Sequence, residues 1–265
     1  MRDAKKRLGA LAITIAVFAM GASLAQAELS AHGDLFVRFS GGIAPDALPR
    51  NSRAPISVSV AGTVRTLSGD RPPALRRIVI AINRGGRLDA RGLPLCRQSQ
   101  IEPSSTSEAM RACGPALVGE GSYDADVAFP EQSAFPSHGR ILAFNAVVAG
   151  KRAILAQVYD PNPVPITRII VFHIRETGGT YGTILSGSLP PSLNRYGYLR
   201  QISLSLHRNF TYRGRRRSYL SAACDAPAGF PGASFPFAHA SMSFADGRTL
   251  SSTLTRSCKV RNQPE

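Results

Sequence analysis

The chain contains no tryptophan, and aromatic residues make up 7% of its 265 residues. Sugar-binding modules rely on aromatic platforms, and tryptophan is the largest of these. Its absence disfavours a carbohydrate-binding module without excluding one, because several tyrosines that could serve as smaller platforms occur between residues 196 and 219. These are Tyr196, Tyr198, Tyr212 and Tyr219.

Sequence motifs of the common enzyme classes are also missing. There is no G-x-S-x-G nucleophile elbow, no phosphate-binding G-x-x-x-x-G-K-[ST] loop and no H-E-x-x-H metal site. None of the histidines has the spacing of a local metal motif: His32, His138, His173, His207 and His239. The sequence therefore favours a non-enzymatic protein, and no motif in it calls for a cofactor.

Acidic residues and lysine are both scarce. Lysine and arginine together number 32 against 17 aspartate and glutamate residues, which gives a formal net charge of +15. After residue 27 the only lysines are Lys151 and Lys259, so the charge is carried almost entirely by arginine. Such a balance predicts attraction to anionic polymers or lipid surfaces. The alternative is codon usage in a GC-rich genome, which also enriches arginine, alanine and glycine.

The first 27 residues have the pattern of a secretory signal peptide. The chain opens with four basic residues: Arg2, Lys5, Lys6 and Arg7. An uncharged apolar stretch follows at 8–24, and Ala25-Gln26-Ala27 is a small-x-small cleavage site. The sequence predicts a cut after Ala27 and a secreted or cell-surface protein. An uncleaved membrane anchor is the alternative, although the apolar stretch is short for a spanning helix, which needs about 20 residues. Export argues against a dedicated nucleic-acid partner.

Four cysteines in an exported chain favour two disulfides. Among the three possible pairings we favour Cys96–Cys113 and Cys224–Cys258, because each closes a local excursion between predicted strands. A structural zinc site is the rival interpretation. It is weak, because such sites normally use closely spaced C-x-x-C pairs and the chain has none.

The order of strand and turn signals predicts an all-β fold. Short alternating or apolar runs are separated by glycine- and proline-rich turns at the regular spacing of a sandwich, and the helices that a parallel α/β sheet needs between its strands are missing. We predict an antiparallel two-sheet sandwich over 28–265, jelly-roll-like or an expanded immunoglobulin-like form. One short helix is expected, capped by Ser105 or Thr106 with Glu108 in its first turn. The alternative is two small β domains divided near residue 190.

The strongest local pattern is a hairpin between residues 196 and 224. From Ile202 to Tyr212 the side chains alternate between apolar and polar, with Arg208 as the one polar interruption of the apolar face. This alternation predicts a single long strand with one buried and one wet face. A turn at residues 213–216 and a return strand at 217–224 complete the predicted hairpin, because Gly214 can take positive φ.

The tip of this hairpin is the candidate binding site. Guanidinium groups suit phosphate and carboxylate, and neighbouring aromatic rings can stack on bases or sugars. The predicted site comprises Arg213, Arg215, Arg216 and Arg217 with the flanking rings of Tyr212 and Tyr219. Its function would be to bind an anionic partner outside the cell. The alternative is an ordinary solvated turn.

A second candidate site is an acidic row. Glu120, Ser122, Asp124 and Asp126 alternate with glycine, alanine, tyrosine and valine, so on a strand all four share one face, about 6.5–7 Å between successive members. Carboxylates at such distances can bind Ca²⁺ or act as the acid and base of a glycoside hydrolase. The alternatives to an anion-binding module are thus an exported hydrolase and a calcium-stabilised adhesion module. An ordinary wet face paired with arginines is the simplest interpretation.

Two segments resemble exported β-rich proteins of GC-rich actinobacteria. They are the residues LSAACDAP at 220–227 and SFADGR at 243–248. The likeness continues through RPP at 71–73, GLPLC at 92–96 and LVGEG at 117–121. The resemblance implies an exported protein with matching cysteines, and it implies no catalytic residue.

Overall fold

The computed structural model describes residues 27–161, 165–190 and 196–261, and β-strands dominate all three ranges. The predicted all-β class is therefore confirmed. The predicted signal peptide falls mainly on residues 1–26, which lie outside the described residues. In the described part of the chain, no helix has the length and apolarity needed to cross a membrane.

Eighteen strands have described bounds. The first seven are β1 Glu28–His32, β2 Leu35–Ala44, β3 Ala47–Leu48, β4 Ala54–Pro55, β5 Ser57–Thr66, β6 Leu75–Asn83 and β7 Gly86–Leu88. The next six are β8 Leu117–Val127, β9 Phe135–Val148, β10 Lys151–Asp160, β11 Ile166–Glu176, β12 Tyr181–Ser188 and β13 Gly197–Leu206. The last five are β14 Asn209–Tyr212, β15 Arg215–Ser218, β16 Leu220–Ala222, β17 Gly232–Phe244 and β18 Thr249–Val260.

Thirteen of these strands form one continuous sheet. Their order is β1-β2-β5-β13-β8-β9-β10-β11-β12-β6-β17-β18-β3, and every pair is antiparallel except β18 with β3. The hydrogen bonds therefore do not divide these strands into two sheets. They also join strands that precede residue 190 to strands that follow it, since β13 pairs with β5 and β17 pairs with β6. Two small sheets complete the fold, β14-β15 and β4-β16-β7.

The large sheet curls until its two ends meet. Strand β1 lies against β18, and Phe39 on β2 packs in the same core cluster as Leu254 on β18. Side chains bridge this seam: Arg248 Nη1 lies 2.5 Å from Asp34 Oδ1, and the Thr255 amide donates to Glu28 Oε1 at 3.0 Å. The curl gives the sheet a concave inner face that is lined with aliphatic side chains.

Glycines allow neighbouring strands to approach closely where the sheet curls. A Cβ atom on Gly121 of β8 would lie 2.0 Å from the Ser203 carbonyl oxygen of β13, and one on Gly119 would lie 2.6 Å from that of Ser205. No residue with a side chain tolerates such distances without moving the backbone. These positions therefore require glycine because of the neighbouring strand.

A helical excursion covers the outer face of β9, β10 and β11. Helix α2, Thr106–Cys113, has the predicted cap: the Glu108 amide donates to Ser105 Oγ, and Glu108 accepts from the Ser105 amide in return. The prediction of one short helix is corrected by α1, Gln98–Ile101, a single turn that lies before it. The predicted Cys96–Cys113 disulfide is confirmed, and it joins the two ends of the excursion.

The excursion explains why β9 and β10 are apolar on both faces. Leu142, Phe144 and Leu155 pack outward against the helical segment, whereas Ala143 and Ile154 belong to the inner core. The buried Gln157 side chain of β10 donates to the Ser104 carbonyl at 2.9 Å. The same carbonyl accepts from the Thr167 hydroxyl at 2.6 Å, so side chains of two sheet strands satisfy this backbone group of the excursion.

The predicted hairpin forms, but neither of its strands is continuous: the return strand, predicted at 217–224, divides into β15 and β16, which belong to different sheets. Strand β13 ends at Leu206 within the large sheet, and β14 begins at Asn209 in the separate two-stranded sheet. The break falls at Arg208, whose guanidinium would otherwise enter the apolar interior; instead it donates to the Pro115 carbonyl at 3.4 Å. Strands β14 and β15 then pair around Arg213 and Gly214, both at positive φ, in the two-residue turn typical of tight hairpins.

Candidate functional site

The small sheet β4-β16-β7 has one face toward the core and one toward solvent. On the inner face Leu220 pairs with Leu88, and both are buried. On the outer face, Ser221 lies between Pro55 on β4 and Arg87 on β7 in one cross-strand row. This alternation is what the period-two pattern of short strands dictates. The sheet therefore places an arginine on a surface whose reverse side is apolar.

The β14–β15 hairpin stands over that outer face and encloses a cleft of about 610 Å³. Five arginines line the cleft: Arg53, Arg87, Arg91, Arg216 and Arg217. Asp89 is the one carboxylate among the lining residues, so their formal charge is +4. Phe210 supplies an aromatic wall. The cleft concentrates positive charge in a concave site, which raises the local concentration of anions.

Asp89 forms ion pairs with two of the five arginines. Arg91 Nε and Nη2 donate to its two carboxylate oxygens at 3.1 and 3.0 Å, and Arg217 Nη1 donates to Oδ2 at 3.2 Å. The hydrogen bonds from Arg91 and the charge of Arg217 outweigh the effect of burial and lower the pKa of Asp89 to about 2. In the described part of the chain, no carboxylate forms an ion pair with Arg53, Arg87 or Arg216.

The lowered pKa of Asp89 predicts an acid-dependent contribution to stability. A carboxylate whose folded pKa lies below its ordinary value of 3.8 stabilises the native state above about pH 4, and this stabilisation is lost as the pH falls toward 2. We expect Asp89→Asn to lower the free energy of unfolding by roughly 1–2 kcal/mol near neutral pH, allowing for the exposure of Arg91. Near pH 2 the variant and the wild type should be equally stable. Urea unfolding at the two pH values measures this, and an equal difference at both would contradict it.

Tyr212 fixes the hairpin to the loop below it. Its ring lies against Gly92, which is at φ +89°, and a Cβ at that position would lie 2.2 Å from the ring. The Arg213 and Arg217 guanidinium groups lie 5.3 and 5.7 Å from the ring centroid. Tyr212 is therefore half-buried between a glycine and two cations, and it positions the hairpin that walls the cleft.

The structure separates the residues that the sequence grouped at the hairpin tip. Arg216 and Arg217 line the cleft, whereas Arg213 in the turn and Arg215 at the start of β15 are exposed and lie outside it. Tyr219 is fully buried in the main core cluster, burial raises the pKa of its hydroxyl, and its ring is not part of the exposed surface. An exposed ring was expected there because Tyr219 flanks the arginines of the hairpin, but the chain turns inward after Ser218.

Three of the lining arginines were missed by the sequence analysis. Arg53 directly precedes the inward-facing Ala54, and Arg87 directly precedes the inward-facing Leu88, so alternation does place both arginines outward. Arg91 lies just beyond the same segment. Nothing in the sequence indicates that these positions meet a hairpin more than 100 residues away. Only the pairing of β16 with β4 and β7 brings them together.

The acidic row lies on the outer face of β8, as predicted, and arginines from neighbouring strands form ion pairs with two of its carboxylates. Arg140 Nη2 lies 2.5 Å from Glu120 Oε2, and Arg200 Nη1 lies 3.3 Å from Asp126 Oδ1. Asp124 between them is exposed. Within the described ranges, no group of three His, Cys, Asp or Glu side chains is placed to hold a metal ion. The arginine pairing favours the simplest interpretation, a wet sheet face, over a hydrolase site.

The second predicted disulfide, Cys224–Cys258, is also confirmed, and it joins the end of the small sheet to β18. Both sulfurs lie in the main core cluster beside Leu220 and Ala222. The bond therefore fixes the position of the sheet that forms the floor of the cleft.

Comparisons with known proteins add no family assignment to this geometry. No family model matches the chain, and neither the curated proteins nor the solved structures include a significant match.

Proposed function

We propose that this protein is exported and non-enzymatic, and that it binds an anionic polymer or lipid surface through the arginine-lined cleft. The observation that carries the proposal is the excess of five arginines over one carboxylate in a single concave site. Three of these arginines have no carboxylate partner among the described residues. A guanidinium group offers two parallel N–H donors to phosphate, sulfate or carboxylate oxygens, so these side chains suit such a partner.

A location outside the cell is part of the proposal. The N-terminal sequence pattern and the resemblance to exported actinobacterial proteins both motivate it, and two disulfides accord with an oxidising compartment. We further propose that the curled sheet acts as the two layers of a sandwich. Residues from opposite ends of the strand order, such as Val58 on β5 and Phe237 on β17, pack in one cluster.

A charge-matched pair of variants tests the proposal. Arg53→Ser with Arg216→Ser removes two charges from the cleft, and Arg213→Ser with Arg215→Ser removes two from the exposed turn of the same hairpin. Each charge-assisted contact is worth about 1.5–3 kcal/mol, so we expect the cleft variant to bind polyphosphate at least tenfold more weakly (about 1.4 kcal/mol). The turn variant should lose less than about threefold, because neither of its guanidinium groups lines the cleft.

Binding should be measured by titration with polyphosphate and with phosphatidylglycerol vesicles across a salt series. Melting temperatures of both variants establish that they are folded. Equal losses in the two variants would mean that only net charge matters, and the cleft would then not be a site. Preference for vesicles over polyphosphate identifies a lipid surface as the partner, and the reverse identifies a polymer.

A further inference from the structure

The concave face of the large sheet encloses an apolar cavity of about 180 Å³. Nine strands of the sheet contribute to its lining, almost entirely with aliphatic or aromatic side chains. Ile80 and Ile82 on β6 and Leu204 and Leu206 on β13 are typical of the walls. An engineered apolar cavity of about 150 Å³ binds benzene, so the space is large enough for about seven carbon atoms.

The small sheet separates this cavity from the arginine-lined cleft. Its inward side chains Leu88, Leu220 and Ala222 line the cavity, and its outward row Pro55–Ser221–Arg87 lines the cleft. The partition is one sheet thick. An apolar group in the cavity and a charged group in the cleft are therefore separated only by the thickness of this sheet.

Arg87 lines both the cavity and the cleft, because β7 is an edge strand of the small sheet. Around this edge the cavity lining changes from apolar to polar, with Asn83 and Asp225 beside the glycines at positions 85 and 86. Asn83 is already engaged, since its Nδ2 donates to the Pro236 carbonyl at 3.0 Å. Over the cavity and cleft together, five arginines face two aspartates, Asp89 and Asp225, so the charge favours an anion.

We infer that the cavity and the cleft form one site for a small anionic amphiphile. A chain of about seven apolar carbons occupies the cavity, and a carboxylate or phosphate headgroup lies against Arg87 at its edge. This inference rests on the proposed function and adds to it the chemical class of the ligand. Apolar burial supplies affinity in the cavity, and the guanidinium group selects the charge of the headgroup.

The test uses ligands that differ in one feature each. Octanoate and octyl phosphate carry the chain with an anionic head, octanol and octylammonium carry it with a neutral or cationic head, and inorganic phosphate has no chain. Calorimetric titration of the mature protein should show both anionic amphiphiles binding at least tenfold more tightly than the other three, a difference of about 1.4 kcal/mol. Their relative affinities distinguish a carboxylate from a phosphate headgroup.

The dependence of affinity on the length of the ligand's alkyl chain tests the inference without a protein variant. From butanoate to octanoate, affinity should rise about threefold to fourfold for each methylene group, and the rise should end close to eight carbons because the cavity is then filled. A rise that continues through dodecanoate would place the chain on an open surface. That outcome would overturn the assignment to the cavity.

Variants in the cavity wall and at its charged edge address the two halves of the site. Ala143→Leu places a larger side chain in the cavity wall and should abolish the chain-length dependence while leaving polyphosphate binding intact. Ala238→Leu, in the wall on β17, serves the same purpose if the first variant melts below the working temperature. Arg87→Ser should weaken octanoate about tenfold and leave octanol unchanged.

The outcomes separate this inference from the proposed function. If polyphosphate binds but octyl phosphate binds no better than inorganic phosphate, the amphiphile inference is overturned and the anionic cleft remains. If octanoate and octanol bind equally, the cavity is apolar without selecting an anion, which also overturns it. If polyphosphate and octyl phosphate both fail to bind, the proposed function fails as well.

Discussion

Replacing both Cys224 and Cys258 with alanine is expected to lower the free energy of unfolding by about 4 kcal/mol. The bond closes a loop of 34 residues. In the chain-entropy model, closing a loop of this length raises the free energy of the unfolded chain by about that amount. Alanine is the suitable substitute, because both cysteines are buried in an apolar cluster where serine would leave hydroxyl groups without partners.

The first disulfide supplies a matched comparison. Cys96–Cys113 spans 17 residues, so its removal should cost about 3 kcal/mol by the same reasoning. Guanidinium unfolding of both double variants under identical conditions measures the two losses. A loss below about 1 kcal/mol for the Cys224–Cys258 variant would show that the unfolded chain is already compact in this region.

The Cys224–Cys258 variant should also lose the chain-length dependence of amphiphile binding before it loses polyphosphate binding. The bond holds the end of the small sheet against β18, and the inner face of that sheet lines the cavity. Lost anchoring lets this sheet move away from the concave face and opens the cavity, whereas the cleft arginines lie beside or on the sheet itself and on the hairpin over it, and they move with it.

Gly121→Ala is expected to destabilise the protein by at least about 3 kcal/mol. Its Cβ would lie 2.0 Å from the Ser203 carbonyl oxygen, 2.9 Å from the carbonyl carbon and 3.0 Å from the Leu204 Cα. All three atoms are backbone of β13, so no side-chain rotation relieves the overlap. The β8–β13 pairing must separate there, at a cost that exceeds ordinary overpacking of a core.

Gly42→Ala is the control for this substitution. Gly42 also lies within a strand, β2, and a Cβ there meets nothing within 4 Å. Removing a glycine at such a position restricts the unfolded chain, so the variant should be as stable as the wild type or slightly more so. Thermal unfolding of both variants measures the contrast. Similar melting temperatures would mean that the two strands are not closely apposed at Gly121.

Local patterns in the sequence predicted the local features of this fold correctly. Period-two alternation identified most strands, Ser105 with Glu108 identified helix α2, and the Arg213-Gly214 turn identified the hairpin. Both disulfides were predicted because each closes a local excursion between predicted strands. Each of these depends on residues within about 35 positions of one another, where the chain alone fixes the geometry.

Features that depend on distant pairing were not predictable in the same way. The curl of the sheet depends on β1 meeting β18, more than 200 residues away, and the cleft depends on the order β4-β16-β7. The prediction of one continuous strand through Arg208 was wrong, since the chain leaves the large sheet at the one arginine in its apolar row. Gly119 and Gly121 are two residues apart in the sequence, and this spacing places both on one face of β8.

The seam between β1 and β18 has a consequence for the behaviour of the protein in concentrated solution. The edge strands of an open sheet offer unpaired backbone groups to which a strand of another molecule can add. Here the two ends of a thirteen-stranded sheet face each other, and the Glu28 and Asp34 carboxylates engage Thr255 and Arg248 across the gap. The curl thus protects a long sheet from fibril-like association, and the charged side chains along the seam keep foreign strands out.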